Sequence, residues 1–332
     1  ISFKFAVSST FVTISTMRFF YFLLLLLTSH FICHSQQPVF KIIPLGVFGG
    51  GIESNLSSYM IAPVHSSRYV CLDAGTVRSG IRKAIENKLF PGQTDLQVLR
   101  RNIKGYLISH GHLDHLAGMI LNSPDDSSKY IYALPAVEAI LTDNYFSWKS
   151  WANFTNEGEV PRLNKYTFEQ LDTVKEVPLF NTDMSVTAFQ LSHVNPYVST
   201  AFLIRHGNDY VVYLGDTGSD LIEKTNRLEQ LWQHIAPLIN KRQLKGILIE
   251  TSFPNEQPDQ ALFGHLTPKL LKKELALLNT FCQPGMISRV PVIITHIKPE
   301  GNHEAAIKEQ LLKNNPLKIR FLFPVQGKQI LL

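Results

Sequence analysis

The amino-acid sequence predicts an α/β fold, two β-sheets sandwiched by helices within one domain. Three observations carry that expectation. Short apolar, β-forming runs alternate with stretches of helical period. The runs gather into two halves, one on each side of a less regular stretch over residues 143–183. Run after run also ends on a histidine or an aspartate. With 332 residues, 45% of them hydrophobic and 18% charged, the chain can bury a sizeable core. No internal repeat, low-complexity tract or linker divides it.

Residues 1–35 stand apart. From Met17 the chain reads MRFFYFLLLLLTSHFICHSQQ: one Arg, an apolar stretch, then small and polar residues. This is the build of a secretory signal with a cleavage point near Ser35, so export to a periplasm or the medium is expected. Residues 1–16 precede Met17 as a natural start. A membrane anchor is the alternative, but Phe19 to Cys33 falls short of the ~20 apolar residues a span requires, and Thr28, Ser29 and His30 interrupt it. A lipid attachment at Cys33 lacks small residues before it. No stable membrane anchor is therefore expected after cleavage, and residues 36–332 form the expected single domain. The formal charge is +5; without Lys4 and Arg18 the remainder carries +3, too little and too scattered for a nucleic-acid surface. Cys71 and Cys282 remain in apolar contexts and read as buried thiols, with one disulfide between them left open.

The elements follow in order. FKIIPLGVFG, SSYMIA and RYVCLDA read as strands, the latter two as a hairpin ending at Asp73-Ala74-Gly75-Thr76. VRSGIRKAIENKLF has helical period, GYLIS is a strand, HLAGMIL opens a helix and YIYA is a strand. PAVEAILTDNYF is a helix with Pro135 near its start. Residues 143–183 read as an insertion or covering loop. Strands resume at MSVTAFQLS, TAFLIRH and DYVVYLGD, the last two turned by Gly207-Asn208-Asp209. One helix is expected over SDLIEKTNRLEQLWQHIAPLI, then the strand GILIE. TPKLLKKELALLNTF is a helix with Thr267 as N-cap and Pro268 in its first position. The strand PVIITH, the helix NHEAAIKEQLLKNN and the strand IRFLF complete the chain.

The strand ends carry the chemistry. Asp73 follows VCL, His110 follows YLIS, His193 follows FQLS, Asp216 follows VVYLG and His296 follows VIIT. Ends of core strands are where a rigid scaffold projects side chains into a shared pocket. Imidazoles and carboxylates suit zinc and its neighbours. In His110-Gly111-His112 both rings can point to one side, with Gly111 allowing an unusual bend. His110, His112 and His193 could hold one ion; Asp114, His115 and His296 a second; Asp216 could bridge them, leaving room for a shared hydroxide. His193, Asp216 and His296 taken singly read as ordinary strand-end or turn residues, and only their parallel placement marks them. His65, His206, His234 and His303 lack that placement and read as surface or structural.

The run His110-Gly111-His112-Leu113-Asp114-His115 resembles the signature of the metallo-β-lactamase superfamily. The stretch to Pro124, with Leu116, Gly118, Met119, Ile120 and Ser123, is similar to the pattern of class II cyclic nucleotide phosphodiesterases. That resemblance spans about Phe40 to the end. It implies an αββα sandwich of two mixed sheets flanked by helices and a site for two divalent ions, zinc in most members. It also implies hydrolysis of cyclic AMP or cyclic GMP to the 5′-nucleotide by a metal-bridging hydroxide. A second likeness, of Glu250-Thr251-Ser252-Phe253 and Gly264-His265-Leu266-Thr267 to paired motifs of tRNA 3′-processing endonucleases, implies proton transfer by His265 with Glu250. His265 reads equally as a loop histidine near a helix cap.

These expectations assign the catalytic work to Asp114, His265 and Glu250, and to Asp73 the orienting of a ligand histidine. The expected partner is a small cyclic nucleotide, not a nucleic acid, and the oligomeric state stays open. The base pocket is expected from residues 143–183 and the Gly49-Gly50-Gly51…Asn55 loop. Alternatives on the same scaffold are a general phosphodiesterase, a tRNA-processing-like nuclease, a sulfatase or a β-lactamase; the last is disfavoured because Asp216 stands where many of those enzymes use cysteine. A non-catalytic binding module would be expected to have lost ligands.

Overall fold

Alternation along the strands decides which layer each side chain joins. In the computed structural model, which describes residues 1–2, 37–194 and 196–332, β1 (Phe40–Gly46) turns Phe40 and Ile42 to one side and Ile43 and Leu45 to the other, all fully buried. Apart from Ile1 and Ser2, the expected leader, with Met17 and Cys33, lies outside the described residues.

The first sheet runs β14 (Ile330–Leu331), β1, β2 (Ser58–Pro63), β3 (Tyr69–Leu72), β4 (Ile103–Leu107), β5 (Lys129–Ala133), β6 (Tyr166–Gln170). The second runs β13 (Phe321–Leu322), β12 (Val292–Thr295), β11 (Leu244–Glu250), β10 (Asp209–Leu214), β9 (Val198–His206), β8 (Met184–Ser192), β7 (Glu176–Leu179). Pairing is antiparallel from β14 to β3 and parallel from β3 to β6. In the second sheet it is antiparallel from β7 to β10 and parallel from β10 to β13. The two halves thus share one pattern, and the expected pair of mixed sheets is found.

Three apolar layers hold the stack. Phe40, Tyr59, Leu107, Phe202, Tyr213 and Leu248 lie in the layer the two sheets share. α1 (Arg78–Glu86), α2 (Asp95–Arg101), α3 (Leu113–Asn122) and α4 (Pro135–Ile140) cover the first sheet through residues such as Ile81, Leu99, Met119 and Val137. α5 (Asp220–Glu223), α6 (Arg227–Asn240), α7 (Pro268–Thr280) and α8 (His303–Leu312) lie with the second half, where Trp232, Leu271 and Ile307 pack on the sheet. Among the described residues no helix is long and apolar enough to cross a membrane.

Five points of the sequence reading need correction. The 143–183 stretch contributes β6 and β7, an edge strand to each sheet, where an irregular insertion or cover was expected. α2 was not expected; its Thr94 accepts from Gln97 N at 3.2 Å while the Gln97 side chain accepts from Thr94 N at 2.9 Å, a capping box. The helix expected across 219–239 is broken at Lys224, which is left-handed with φ 55°. The Asp220 carboxylate causes the restart, accepting from Leu228 N at 3.2 Å and Glu229 N at 2.9 Å at the head of α6. Residues 135–146 form an α-helix only to Ile140, then a wider π-turn over Leu141–Tyr145. Both cysteines are free; Cys71 is buried, as expected, whereas Cys282 is half-buried.

Gly118 shows how α3 is seated. It donates to Gly75 O at 2.9 Å, and a Cβ there would stand 2.8 Å from Ala74 O and 2.9 Å from Val77 N. Only a bare backbone lets the helix lie on the loop that carries Asp73. Ser123 ends the helix by donating to Ile120 O at 2.7 Å, and it accepts from Trp151 Nε1 at 3.0 Å, tying α3 to the 143–183 stretch. Alanine favours an isolated helix over glycine, yet Gly118→Ala is expected to cost about 1–3 kcal/mol through overpacking. A urea midpoint at or above the parent's would contradict this reading.

Candidate metal centre

Every candidate side chain is delivered by the end of a strand or the start of a helix. His110 follows β4, His112 occupies the N-cap of α3, and Asp114 and His115 fill its first turn. His193 follows β8, Asp216 follows β10, Glu250 ends β11, and His296 follows β12. His265 lies on the loop before α7, whose N-cap is Thr267 as expected. Both sheets contribute, and all these side chains converge.

The imidazoles form a ring of neighbours. Ring centroids lie 4.2 Å apart for His110 and His115, 5.0 Å for His110 and His193, and 5.1 Å for His112 and His193. His296 lies 4.9 Å from His115 and 5.1 Å from His265. Asp216 stands in the middle: its Oδ2 is 3.2 Å from His115 Nε2 and from His296 Nε2, 3.8 Å from His110 Nε2 and 3.9 Å from His193 Nε2. Asp114 Oδ2 is 3.1 Å from His296 Nε2 and accepts from Gly50 N at 3.0 Å.

A second set of contacts sets which ring nitrogen faces inward. His115 Nδ1 is 2.7 Å from Asp73 Oδ2, the placement expected for Asp73. His193 Nδ1 donates to Gly264 O at 2.9 Å. His110 Nδ1 is 3.0 Å from Ser109 Oγ, whose proton goes to Asp73 Oδ2 at 2.8 Å. His296 Nδ1 is 2.9 Å from Ser252 Oγ, which donates to Glu250 Oε2 at 2.7 Å. With each Nδ1–H spent outward, four Nε2 lone pairs point into the ring. His112 turns the other way, its Nδ1 lying 3.0 Å from His110 Nε2. It is held there by Tyr197, stacked on its ring at 4.9 Å and 7°.

Gly111 serves space rather than the bend expected of it. A Cβ there would meet Ile140 Cγ2 at 2.5 Å and Tyr197 Oη at 3.0 Å. Its amide donates to Tyr197 Oη at 3.2 Å, and Tyr145 Oη donates to its carbonyl at 2.9 Å. Both stretches expected near the substrate thus reach the centre, the 143–183 stretch through Tyr145 and the glycine loop through Gly50.

The electrostatics suit a cation. Burial, with neighbouring imidazoles, holds His110 well below the usual histidine range and pushes His112 down to about 4. Burial also lowers His193, against the pull of Asp216. These three rings are held neutral, the form that ligates metals. Burial would lower His115 as well, but Asp216, Asp73 and Asp114 outweigh it and raise its pKa. For Asp216 burial works upward, yet His115 and His296 hold it well below the carboxylate range. The attraction that keeps a proton between those groups would equally keep a cation.

Two buried atoms test the fit. Asp216 Oδ1 has no hydrogen-bond partner, and His115 Nε2 has only Asp216 Oδ2 beside it at 3.2 Å, a costly state for interior polar atoms that ligation would relieve. The donors that could share an ion fall into the groups His110, His112, His193 and Asp216, and Asp114, His115 and His296, each with atoms within 4.8 Å of one another. The structure thus brings together the side chains of each expected trio, with Asp216 grouped with the first and not with the second. A third group adds His265 to Asp216 and His296. His265 Nδ1, however, lies 2.8 Å from Glu250 Oε1 and is engaged with that carboxylate. Glu250 also accepts from Thr217 N at 3.1 Å and from Ser252 N and Leu266 N at 3.2 Å. His65, His206, His234 and His303 take no part in these groups.

Sequence reasoning passed over Ser109, Ser252, Tyr213 and the Gly264 carbonyl. Tyr213 donates to Asp73 Oδ2 at 2.5 Å across the two sheets. Only its parity on β10, with Val211, hinted that it faces the layer between the sheets. Asp73→Asn keeps the shape but weakens the hold on His115; about 10–100-fold loss of metal affinity is expected in a chelator competition. Unaltered affinity would show that Asp73 serves only the fold.

Known proteins share this plan. Residues 40–322 match the family described as cAMP phosphodiesterases class-II. The chain is 40% identical over 310 residues to the 3′,5′-cyclic-nucleotide phosphodiesterase of Aliivibrio fischeri, covering 89% of this chain and 94% of that one. It is 37% identical over 306 residues to a probable 3′,5′-cyclic-nucleotide phosphodiesterase of Yersinia pestis, covering 88% and 89%. Among solved structures, unliganded yeast PDE1 aligns with a TM-score of 0.77 at 24% identity, over 89% of this chain and 100% of that one. The metallo-β-lactamase fold protein YhfI of Bacillus subtilis aligns with a TM-score of 0.60 at 15% identity, over the same shares. Those two likenesses establish the fold expected from the sequence.

Proposed function

The chain belongs to the class-II cAMP phosphodiesterase family, and on that premise we propose the reaction at its centre: hydrolysis of a 3′,5′-cyclic nucleotide, cyclic AMP or cyclic GMP, to the 5′-nucleotide. The observation that carries it is the convergence of His110, His112, Asp114, His115, His193, Asp216 and His296, from both sheets, around one carboxylate oxygen.

Two divalent cations, zinc by preference, are proposed as the cofactors. His110, His112 and His193 would hold one, Asp114, His115 and His296 the other, and Asp216 would serve both. Bound there, such ions neutralise phosphoryl oxygens and bring the pKa of a bound water toward about 7. The remaining work falls to the chain. Asp114, fixed by Gly50 N, presents its carboxylate beside the attacking water. The departing group is the ribose 3′-oxygen, a poor one that needs a proton. Burial opposes the charged form of His265, but Glu250 and Asp216 outweigh it and raise its pKa. Glu250 also holds its Nδ1, which lies 3.7 Å from Asp216 Oδ2, so the ring stands beside the centre as the proton donor for O3′.

Export is proposed from residues 17–35, and N-terminal sequencing of mature protein from outside the cytoplasm would read a start near Gln36. The reaction itself is tested with zinc-reconstituted protein on cyclic AMP, cyclic GMP, an aryl phosphodiester and an aryl sulfate. Turnover of the cyclic nucleotides to 5′-products is expected; cleavage of the aryl diester alone would reduce the reading to a general phosphodiesterase. In the same assay His265→Ala should lower kcat by about 10²–10⁴-fold while retaining metal. Parallel loss of metal and rate would make His265 a ligand instead.

A further inference from the structure

Two residues from His265, the chain does something costly. Phe263 has left-handed backbone, φ 52°, and its side chain is 63% exposed. A bulky residue in that region is an outlier, because glycine or asparagine makes the same turn with less strain. The side chain contributes little to the core in exchange. Neither local conformation nor burial accounts for phenylalanine at this position.

The neighbours fix where it stands. Leu262 is buried in the core of the second half. Gly264 accepts from His193 Nδ1, and a Cβ on it would stand 2.5 Å from Val194 N. The loop therefore presses against the chain leaving β8. Val194, the next residue after His193, is also left-handed, φ 54°, and 47% exposed. Two exposed apolar side chains thus stand on adjoining loops, on the His193–His265 side of the centre. Tyr197, the aromatic ring near His112, already has its face stacked on that imidazole.

The chemistry of the substrate says which side the nucleoside occupies. If the phosphodiester lies over Asp216 and His265 protonates O3′, the ribose that owns O3′ must lie beside His265. The base then extends outward past the loop that carries His265. We propose that Phe263 is the platform on which that base stacks, with Val194 at its side; the inference rests on the phosphodiesterase reading and adds the placement of the nucleoside. A ring face accepts any base, so the platform supplies affinity for the nucleobase without choosing between adenine and guanine.

Phe263→Asn isolates the ring, because asparagine tolerates the left-handed backbone and the variant should melt at or above the parent temperature. The probes are cyclic AMP and the 3′,5′-cyclic phosphate of methyl riboside, which has no base. The preference for cyclic AMP, as a ratio of kcat/KM values, should fall about tenfold, the worth of one base–aromatic stack. The loss should sit in KM rather than kcat, and Phe263→Tyr should restore it. An unchanged ratio in folded Phe263→Asn, or a Tyr variant no better than Asn, overturns the platform while leaving the phosphodiesterase reading intact. Failure of the parent protein on cyclic AMP overturns both.

Discussion

A carboxylate buried among imidazoles is the constraint on which this architecture depends. Asp216 is 2% exposed, and a charge so placed is tolerable only with opposite charge or strong donors around it. The Nε2 atoms of His115 and His296 stand nearest to it, each 3.2 Å away and from opposite sheets, so a proton or a cation must lie between them and the carboxylate. Behind the ring stand two further buried carboxylates. Asp73 anchors His115 directly and His110 through Ser109; Glu250 anchors His265 directly and His296 through Ser252. Each accepts from one imidazole Nδ1 directly and from a serine hydroxyl that stands against a second, so the orientation of the rings is set by groups that need not touch substrate. Preorganisation of this kind lets a site meet charge without rearranging.

The two sheets reach that arrangement by the same route. Each begins with three antiparallel pairings and ends with three parallel ones, and the change falls at β3 and at β10. Asp73 follows β3 and Asp216 follows β10, equivalent positions in the two halves. Their duties differ: one carboxylate braces an imidazole from behind, the other occupies the centre. Equivalent backbone positions have been put to unlike uses by the side chains around them.

Much of this could be read in the sequence, for identifiable reasons. Strand ends after apolar runs have only one way to point, so His110, His193, Asp216 and His296 were legible as a set. The capping signal Thr-Pro gave α7, and the parity of β-forming residues gave the long strands. What escaped depended on distance in the chain. β6 and β7 are short, and β6 carries its polarity on an edge, so their pairing with β5 and β8 decides them more than their own residues do. The break before α6 turns on the Asp220 side chain capping a helix that begins seven residues later. Ser252 and Tyr213 look ordinary in sequence; their importance comes from partners 44 and 140 residues away.

The rims of both sheets have a bearing on self-association. On one flank, β13 and β14 are two residues long. On the other, β7 presents Glu176 and Pro178 on its exposed face, and proline has no amide proton to donate. Strand-by-strand growth into a neighbouring molecule finds little to hydrogen-bond at these three borders, whereas β6 offers a five-residue edge. If copies of this chain gather, the helical faces, the mouth of the site and the β6 border are the surfaces that can provide the adhesion, and among the described residues each sheet counts seven strands.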